Sequence, residues 1–294
     1  MKFSYTVCFF FSTVILWGQE KQVSEFPMEK SSLLWEISRD DLPGTSYLFG
    51  TMHLIEKDYF IFPKKLQRRI KNSEILVMEL AEVPEYKDLI GHLILPTGSL
   101  FDLFTEQQTD SIFQWAKDKF QIDEGDFRTG FSKLKPFAIM QMAIQLQFAG
   151  KTESYELSFQ NVAKKHNIEI NGLETVNEQI ALFDNLSNVH QVEMLMETIR
   201  EGDETINRIR ELQELYVQQN IDSLFLFITE DRSVLSENQN EFIDSRNEKW
   251  IPKIVTYISN NNTFIAVGAG HLGGVNGIIR LLESKGYSLT PIKL

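Results

Sequence analysis

The chain has 294 residues, of which 43% are hydrophobic, and it carries a formal net charge of −12. This length and this hydrophobic fraction are typical of a globular protein with a large core, and they exclude a chain that is disordered over most of its length. The acidity excludes a phosphate-rich partner on electrostatic grounds, so we expect no nucleic acid among the partners.

The N-terminal segment predicts export. Lys2 precedes an apolar run over residues 5–17, and Gly18 precedes a polar stretch. One positive charge, a short apolar run and a small residue are typical of a secretory signal peptide, and the run is short for a transmembrane helix. We expect a signal peptide over residues 1–18 and a flexible leader over 19–31, with an uncleaved anchor as the alternative. Cleavage would leave no membrane span and would place the protein in the periplasm.

The first part of the chain predicts strands with one helix between them. Two apolar runs, 33–38 and 46–50, are separated by turn-forming residues, which indicates a β-hairpin. A helix over 64–72 begins after Pro63, since proline favours the first helical turn. The apolar run within 74–80 then predicts a buried strand.

The middle of the chain, residues 85–259, is predicted to be mostly helical. Apolar residues recur there at helical spacing, and one short strand is predicted at 168–171. Pro252 is expected to break or kink the last of these helices. The predicted helices cover residues 136–148, 155–166, 176–186, 188–201, 204–218, 221–228 and 237–259.

The C-terminal part returns to strand, helix and strand, over 263–267, 273–285 and 287–292, with Gly286 as the residue that ends the helix. The sequence therefore predicts an α/β fold with a mixed β-sheet core formed by both ends of the chain and a large helical insertion in the middle. No linker divides it, so we expect a single domain over 32–294.

Three residues able to do chemistry follow predicted strands. His53 and His271 each close a Gly-x-x-His motif that begins at Gly50 or Gly268, and Glu79 lies near the end of its strand. Ligand sites of open α/β sheets lie beyond the carboxyl ends of the strands. We expect each glycine to let the chain turn sharply and present the imidazole to a cleft.

Two imidazoles and one carboxylate allow two kinds of site. They form a common set of ligands for a catalytic divalent metal ion, with one position left for water. Without a metal, one histidine would be the general base, and the other would position the substrate or stabilise an oxyanion. Whether Glu79 is a ligand or a base stays open. The remaining histidines, His92, His166 and His190, are expected at the surface.

Two further charged residues are candidates. Glu174 follows the predicted short strand and precedes a helix, where it is either a site residue or a carboxylate favoured by the helix dipole. Arg246 lies on a predicted helix next to Asn247. It is either a solvated charge or a clamp for a carboxylate or an oxyanion.

These residues lie within a longer pattern that resembles the TraB/GumN family, which is related to the Tiki proteases. The resemblance runs in order over nearly the whole chain after the signal. It is carried by residues 34–37, 46–53, 76–80, 172–175, 246–247, 266–274 and 286–287.

The resemblance implies a hydrolase with paired Gly-x-x-His motifs and a glutamate. It places His53, Glu79 and His271 in the catalytic site as ligands of a divalent metal ion, with Glu174 and Arg246 nearby. Tiki members are described as metal-dependent peptidases, so the implied substrate is a peptide, or else a small molecule. The oligomeric state is not implied.

The segment 155–157 departs from the family pattern, because relatives often have glycine where the helix begins there. We expect substrate-facing features to differ at this place. Two alternatives to a metal-dependent peptidase stay open. One is a metal-free hydrolase of the esterase type with a histidine base, and the other is a non-catalytic envelope protein that binds a metal, haem or a peptide.

Overall fold

The computed structural model describes residues 31–84, 86–229 and 240–294, without the side chains of 86–88. The predicted signal peptide and nearly all of the predicted leader lie outside the described residues. Within the described part of the chain, no helix is long and apolar enough to cross a membrane.

The described residues form eight strands and twelve α-helices. The strands are β1 (Leu34–Ser38), β2 (Ser46–Thr51), β3 (Ile55–Glu56), β4 (Ile75–Met78), β5 (Thr152–Glu153), β6 (Glu169–Gly172), β7 (Thr263–Gly268) and β8 (Ser288–Ile292). The helices are α1 (Lys64–Lys71), α2 (Tyr86–Leu93), α3 (Glu106–Phe120), α4 (Glu124–Phe131), α5 (Pro136–Gln147), α6 (Tyr155–His166), α7 (Val176–Asp184), α8 (Asn188–Glu201), α9 (Asp203–Val217), α10 (Ile221–Thr229), α11 (Ser245–Asn260) and α12 (Ile278–Glu283).

Contacts divide the described residues into two compact units. The helical unit comprises Pro84–Gly150, apart from residue 85, and Gln179–Ile209. The sheet unit comprises residues 31–83, Lys151–Glu178, 210–229 and 240–294. The single domain over 32–294 stays a prediction, and the site described below lies within the sheet unit alone.

The sheet unit contains a six-stranded mixed sheet in the order β6-β4-β7-β2-β1-β8. The neighbours β6, β4, β7 and β2 run parallel, whereas β1 is antiparallel to both β2 and β8. The predicted hairpin and the sheet shared by both chain ends are thus confirmed. Because β2, β4, β6 and β7 are parallel, their carboxyl ends share one edge of the sheet.

Both faces of β2, β4 and β7 are buried, as their nearly continuous apolar sequences indicate. Phe49 and Phe264 pack on one face against Phe159 of α6, with ring centroids 5.5 and 5.7 Å from it. Ile265 points to the opposite face, where Ile254 of α11 belongs to the same cluster. This packing holds the ends of the strands in fixed positions.

Two helices near the C-terminus differ from the prediction. Residues 237–239 of the helix expected over 237–259 lie outside the described residues. The rest is a short π-helix, Asn240–Asp244, followed by α11, which continues through Pro252 without the expected break. The helix expected from residue 273 begins only at Ile278. Gly274 has a left-handed φ of 79°, and a Cβ on Gly277 would lie 2.3 Å from the carbonyl oxygen of Gly273, so this glycine-rich stretch forms a tight turn.

Candidate functional site

The structure brings together all five residues that the sequence singled out. His53, Glu79, Glu174 and His271 follow β2, β4, β6 and β7 at the shared edge of the sheet, and Arg246 lies on α11. The carboxylate oxygen Oε1 of Glu79 lies 4.0 Å from Nε2 of His53 and 3.9 Å from Nε2 of His271. The rule that sites form beyond the carboxyl ends of parallel strands therefore predicted this juxtaposition correctly.

Arg246 connects most of the site through its guanidinium. Its Nη2 donates to Glu79 Oε2 and to Glu174 Oε1, both at 2.6 Å, and its Nε donates to Glu174 Oε2 at 3.2 Å. Its Nη1 donates to the carbonyl oxygen of Phe242 at 3.1 Å. The side chain is only 4% exposed, so it is not a solvated charge. It clamps two carboxylates of the protein itself.

The charge of Arg246 is maintained by these carboxylates. Burial alone lowers the pKa of the guanidinium, but the charges of Glu79 and Glu174 outweigh it and the pKa is raised. A buried cation of this kind is tolerated because its donors are paired with anions. Arg246 is therefore a fixed positive charge in the site.

His271 is held as a neutral imidazole. Nη1 of Arg246 lies 3.0 Å from its Nε2, and Oδ1 of Asn247 lies 2.7 Å from its Nδ1. Arginine only donates hydrogen bonds, so Nε2 must accept and Nδ1 must carry the proton. Burial and the charge of Arg246 lower the pKa of His271 to about 3. Both ring nitrogens are thus engaged.

Asn247 is oriented for this role by two backbone contacts. Its Nδ2 donates to the carbonyl oxygens of His271 and Asn276, at 3.2 and 2.8 Å. Its Oδ1 is therefore the atom that faces the ring, which assigns the tautomer of His271 from its neighbours.

Both ring nitrogens of His53 have different contacts from those of His271. Its Nδ1 lies 2.7 Å from Oε1 of Glu156, as an ion pair. Its Nε2 is buried and has no hydrogen-bond partner among the described residues. Burial lowers the pKa of His53, but the charges of Glu156 and Glu79 outweigh it and raise that pKa to about 9. The site thus contains one imidazole with an unused nitrogen.

Glu156 is the residue that the sequence reasoning missed. It lies in the first turn of α6, whose N-cap Ser154 donates through Oγ to Glu156 Oε2 at 3.0 Å and accepts from the backbone N–H of Leu157. Burial raises the pKa of Glu156, but the charge of His53 outweighs it and lowers that pKa. The contact with His53 is ionic, because Oε1 has no hydrogen bond of regular geometry among the described residues.

Glu79 stays ionised and has both oxygens engaged. Oε1 accepts from the backbone N–H of Gly268 at 2.7 Å, and Oε2 accepts from Arg246. Burial raises the pKa of Glu79, but Arg246 and the two histidines outweigh it and lower that pKa to about 2. A carboxylate with so low a pKa is a weak base.

A small cleft opens onto these groups. Polar residues form one part of it and apolar residues of α10 and the π-helix form another. The cleft is lined by His53, Glu79, Arg246, His271, Ile228, Phe242, Ile243, Gly268, Ala269 and Gly270.

The glycines of the two motifs provide space rather than a sharp turn. Gly268 has φ −53°, and Gly50 is not among the glycines with positive φ, so neither needs a left-handed backbone. A Cβ on Gly50 would lie 3.0 Å from the Cα of Ala269. A Cβ on Gly268 would lie 3.3 Å from Glu79 Oε1 and 3.9 Å from His53 Nε2. The missing side chain of Gly268 therefore avoids crowding Glu79 Oε1 and the nearby imidazole.

The three predicted metal ligands do not fit a divalent cation in this arrangement. The ligand atoms of such a site lie about 2 Å from a common point. Nε2 of His271 and Oε2 of Glu79 instead face the guanidinium of Arg246, whose charge repels a metal ion. Within the described part of the chain, no group of three or more His, Cys, Asp or Glu side chains is arranged to bind a metal. The predicted metal stays a prediction.

Comparison with known proteins gives one match. Residues 33–291 match the family described as the TraB/PrgY/gumN family, which covers nearly the whole chain and every residue of the site. No curated protein and no solved structure matches the chain.

Proposed function

Since the chain belongs to the TraB/PrgY/gumN family, we propose that it is an exported hydrolase whose general base is His53. Its substrates would be peptides or esters of carboxylic acids. The state of His53 carries the proposal. Its Nε2 is buried, faces the cleft and lacks a hydrogen-bond partner among the described residues. Its Nδ1 contacts the carboxylate of Glu156. A base oriented in this way by a third group is typical of hydrolytic sites.

The first step activates a water molecule. Nε2 of His53 and Oε1 of Glu79 are 4.0 Å apart, so a water at about 2.8 Å from each would join them. Neutral His53 would take one proton from this water as its oxygen attacks the carbonyl carbon of the substrate. Glu156 would stabilise the imidazolium that forms.

The second step breaks the bond. The carbonyl oxygen becomes an oxyanion after the attack, and the fixed charge of Arg246 at the wall of the cleft lowers its energy. As the oxyanion collapses, the bond to the leaving group breaks, and the proton on His53 Nε2 passes to the departing nitrogen or oxygen. The products are a carboxylic acid and an amine or an alcohol, and His53 returns to its neutral form.

A metal-dependent peptidase is the second candidate. The approach of two imidazole nitrogens to Glu79 Oε1, within 4.0 Å, favours it. The hydrogen bonds from Arg246 to Glu79 and His271 count against it, because they would have to break before a metal could bind.

The test is a cleavage screen of the purified protein with a peptide library and a series of p-nitrophenyl esters, each with and without a chelator. We expect cleavage that survives the chelator and is lost in His53→Gln. The matched control is His166→Gln, because His166 is exposed on the same unit and should not affect turnover.

Other outcomes of the screen select other functions. Cleavage that the chelator abolishes and added metal restores would favour the metal-dependent candidate. Ligand binding without cleavage of any library member would favour a binding protein. Cleavage that persists in His53→Gln would refute the assignment of the base.

Export is tested separately, because it rests on residues 1–18. N-terminal sequencing of the protein from the cell envelope should begin at Gln19 if cleavage follows Gly18. An intact Met1 on cytoplasmic protein would contradict both export and the periplasmic location.

A further inference from the structure

We propose that Arg246 is the resident cation of this site, that it keeps divalent metal ions out, and that its replacement by a neutral residue would create a metal site. The proposal uses the same residues as the proposed hydrolase but rests on metal binding. Its failure can therefore be distinguished from failure of the proposed function.

The position of the guanidinium excludes a metal ion from these atoms. Its Nη1 lies 3.0 Å from His271 Nε2, which accepts its hydrogen bond, and its Nη2 lies 2.6 Å from Glu79 Oε2. An imidazole nitrogen and a carboxylate oxygen are the kinds of atom that bind zinc and similar ions. The N–H groups of Arg246 thus occupy the positions that a metal ion would need.

The positive charge of Arg246 also disfavours a metal ion. The anions Glu79 and Glu174 are paired with Arg246, and both are buried. A buried cluster of this kind needs a cation nearby to compensate its desolvation. Arg246 supplies that cation permanently and neutralises one of the two carboxylates, so a metal ion would have to bind beside a fixed positive charge.

Removal of Arg246 would expose a set of atoms that can bind a metal ion. Nε2 of His53 already lacks a hydrogen-bond partner among the described residues. Without the guanidinium, Nε2 of His271 would regain a lone pair and Oε2 of Glu79 would regain an acceptor position. Nε2 of His53 and Nε2 of His271 would then lie within 4.0 Å of Glu79 Oε1 with no guanidinium between them, which brings two imidazoles and one carboxylate together as a set of metal ligands.

The experiment compares Co²⁺ binding by the wild type, Arg246→Met and Arg246→Lys, through visible absorption bands and metal content. Methionine resembles the unbranched lysine chain without its terminal ammonium group, so Arg246→Lys, which keeps the charge, is the matched control. We expect no site-bound Co²⁺ in the wild type or in Arg246→Lys, and about one equivalent per chain in Arg246→Met. Adding His271→Ala to Arg246→Met should remove it.

Arg246→Met is also tested for folding, since the loss of the guanidinium leaves buried carboxylates without their cation. If it is unfolded alone, Co²⁺ or Zn²⁺ should fold it and raise its thermal midpoint, because an ion that binds only the folded state stabilises it. The proposal is overturned if the wild type binds an equivalent that His271→Ala loses. It is equally overturned if a metal ion neither binds Arg246→Met nor folds it.

Discussion

Replacing Glu156 with glutamine removes the negative charge that lies 2.7 Å from Nδ1 of His53 and leaves a side chain of nearly the same size. In the wild type the pKa of His53 is raised from 6.5 to about 9, against the opposing effect of burial. A shift of this size corresponds to about 3 kcal/mol of preference for the folded, protonated form. In Glu156→Gln the pKa should fall towards or below its ordinary value, because burial is then opposed only by the more distant Glu79.

The sign of the effect on stability follows from the direction of this shift. The folded-state pKa of His53 lies above the unfolded-state value, so its contribution is fully present below a pH of about 6.5 and is lost as the pH rises through about 9. The free energy of unfolding of the wild type should therefore fall over this interval. Glu156→Gln should be less stable at the lower pH and should lack this part of the decline.

Urea unfolding across that interval measures the stability, and an NMR titration of His53 measures the pKa directly. Glu153→Gln is the matched control, because it makes the same change of charge at an exposed position three residues away. It should leave the titration of His53 unaltered. A wild-type His53 that titrates near 6.5, or a Glu156→Gln variant in which its pKa does not move, would refute the reasoning.

The same shift predicts the pH dependence of hydrolysis. With a pKa of about 9, His53 is in its basic form in about one chain in a hundred at pH 7. The value of kcat/KM should therefore rise about tenfold per pH unit up to about 9. In Glu156→Gln the rising limb should move to lower pH, and the plateau should be lower because the base is weaker. A profile that is flat between pH 7 and 9 in the wild type would contradict the assignment of His53 as the base.

Three further substitutions have defined outcomes. Gly268→Ala should lower kcat/KM at least about tenfold with an unchanged thermal midpoint, because its methyl group would crowd Glu79 Oε1. Gly130→Ala is the control, because its added Cβ would meet nothing within 4 Å beyond the backbone of its own helix. Asn247→Ala leaves Nδ1–H of His271 without its acceptor and should cost about 1–3 kcal/mol in urea unfolding. Tyr216→Phe removes the hydroxyl that donates to a β2 carbonyl at 2.7 Å and should cost about 1 kcal/mol in the same assay.

The strand positions and the juxtaposition at the sheet edge could be predicted from sequence because they depend on local patterns and one general rule. Runs of apolar residues located β2, β4 and β7, and parallel strands place the residues that follow them at one edge. His53, Glu79 and His271 are separated along the chain by up to 218 positions, yet each lies one to three residues beyond the end of a strand. Their proximity requires in addition that β4, β7 and β2 are neighbours in the sheet, which they are.

The contacts made by helices could not be predicted in the same way. Glu156 reaches the site because α6 packs on β2 and β7 through Phe159, and helix spacing alone does not say which strand a helix will cover. The departure from the family pattern at 155–157 indicated an unusual start to this helix. From the sequence alone, however, the carboxylate there is explained as a first-turn acid that the helix dipole favours. Arg246 was a candidate from the sequence, but its burial between two carboxylates depends on how α11 packs against the sheet.

Two copies of one motif here produce histidines with opposite protonation. His53 contacts a carboxylate through Nδ1, and its pKa is raised to about 9. His271 contacts a guanidinium through Nε2, and its pKa is lowered to about 3. The motif places each imidazole at the end of a strand, but the charge that meets it comes from a helix elsewhere in the chain. A single pair of helix residues, Glu156 and Arg246, therefore decides which histidine is protonated near neutral pH and which one stays neutral.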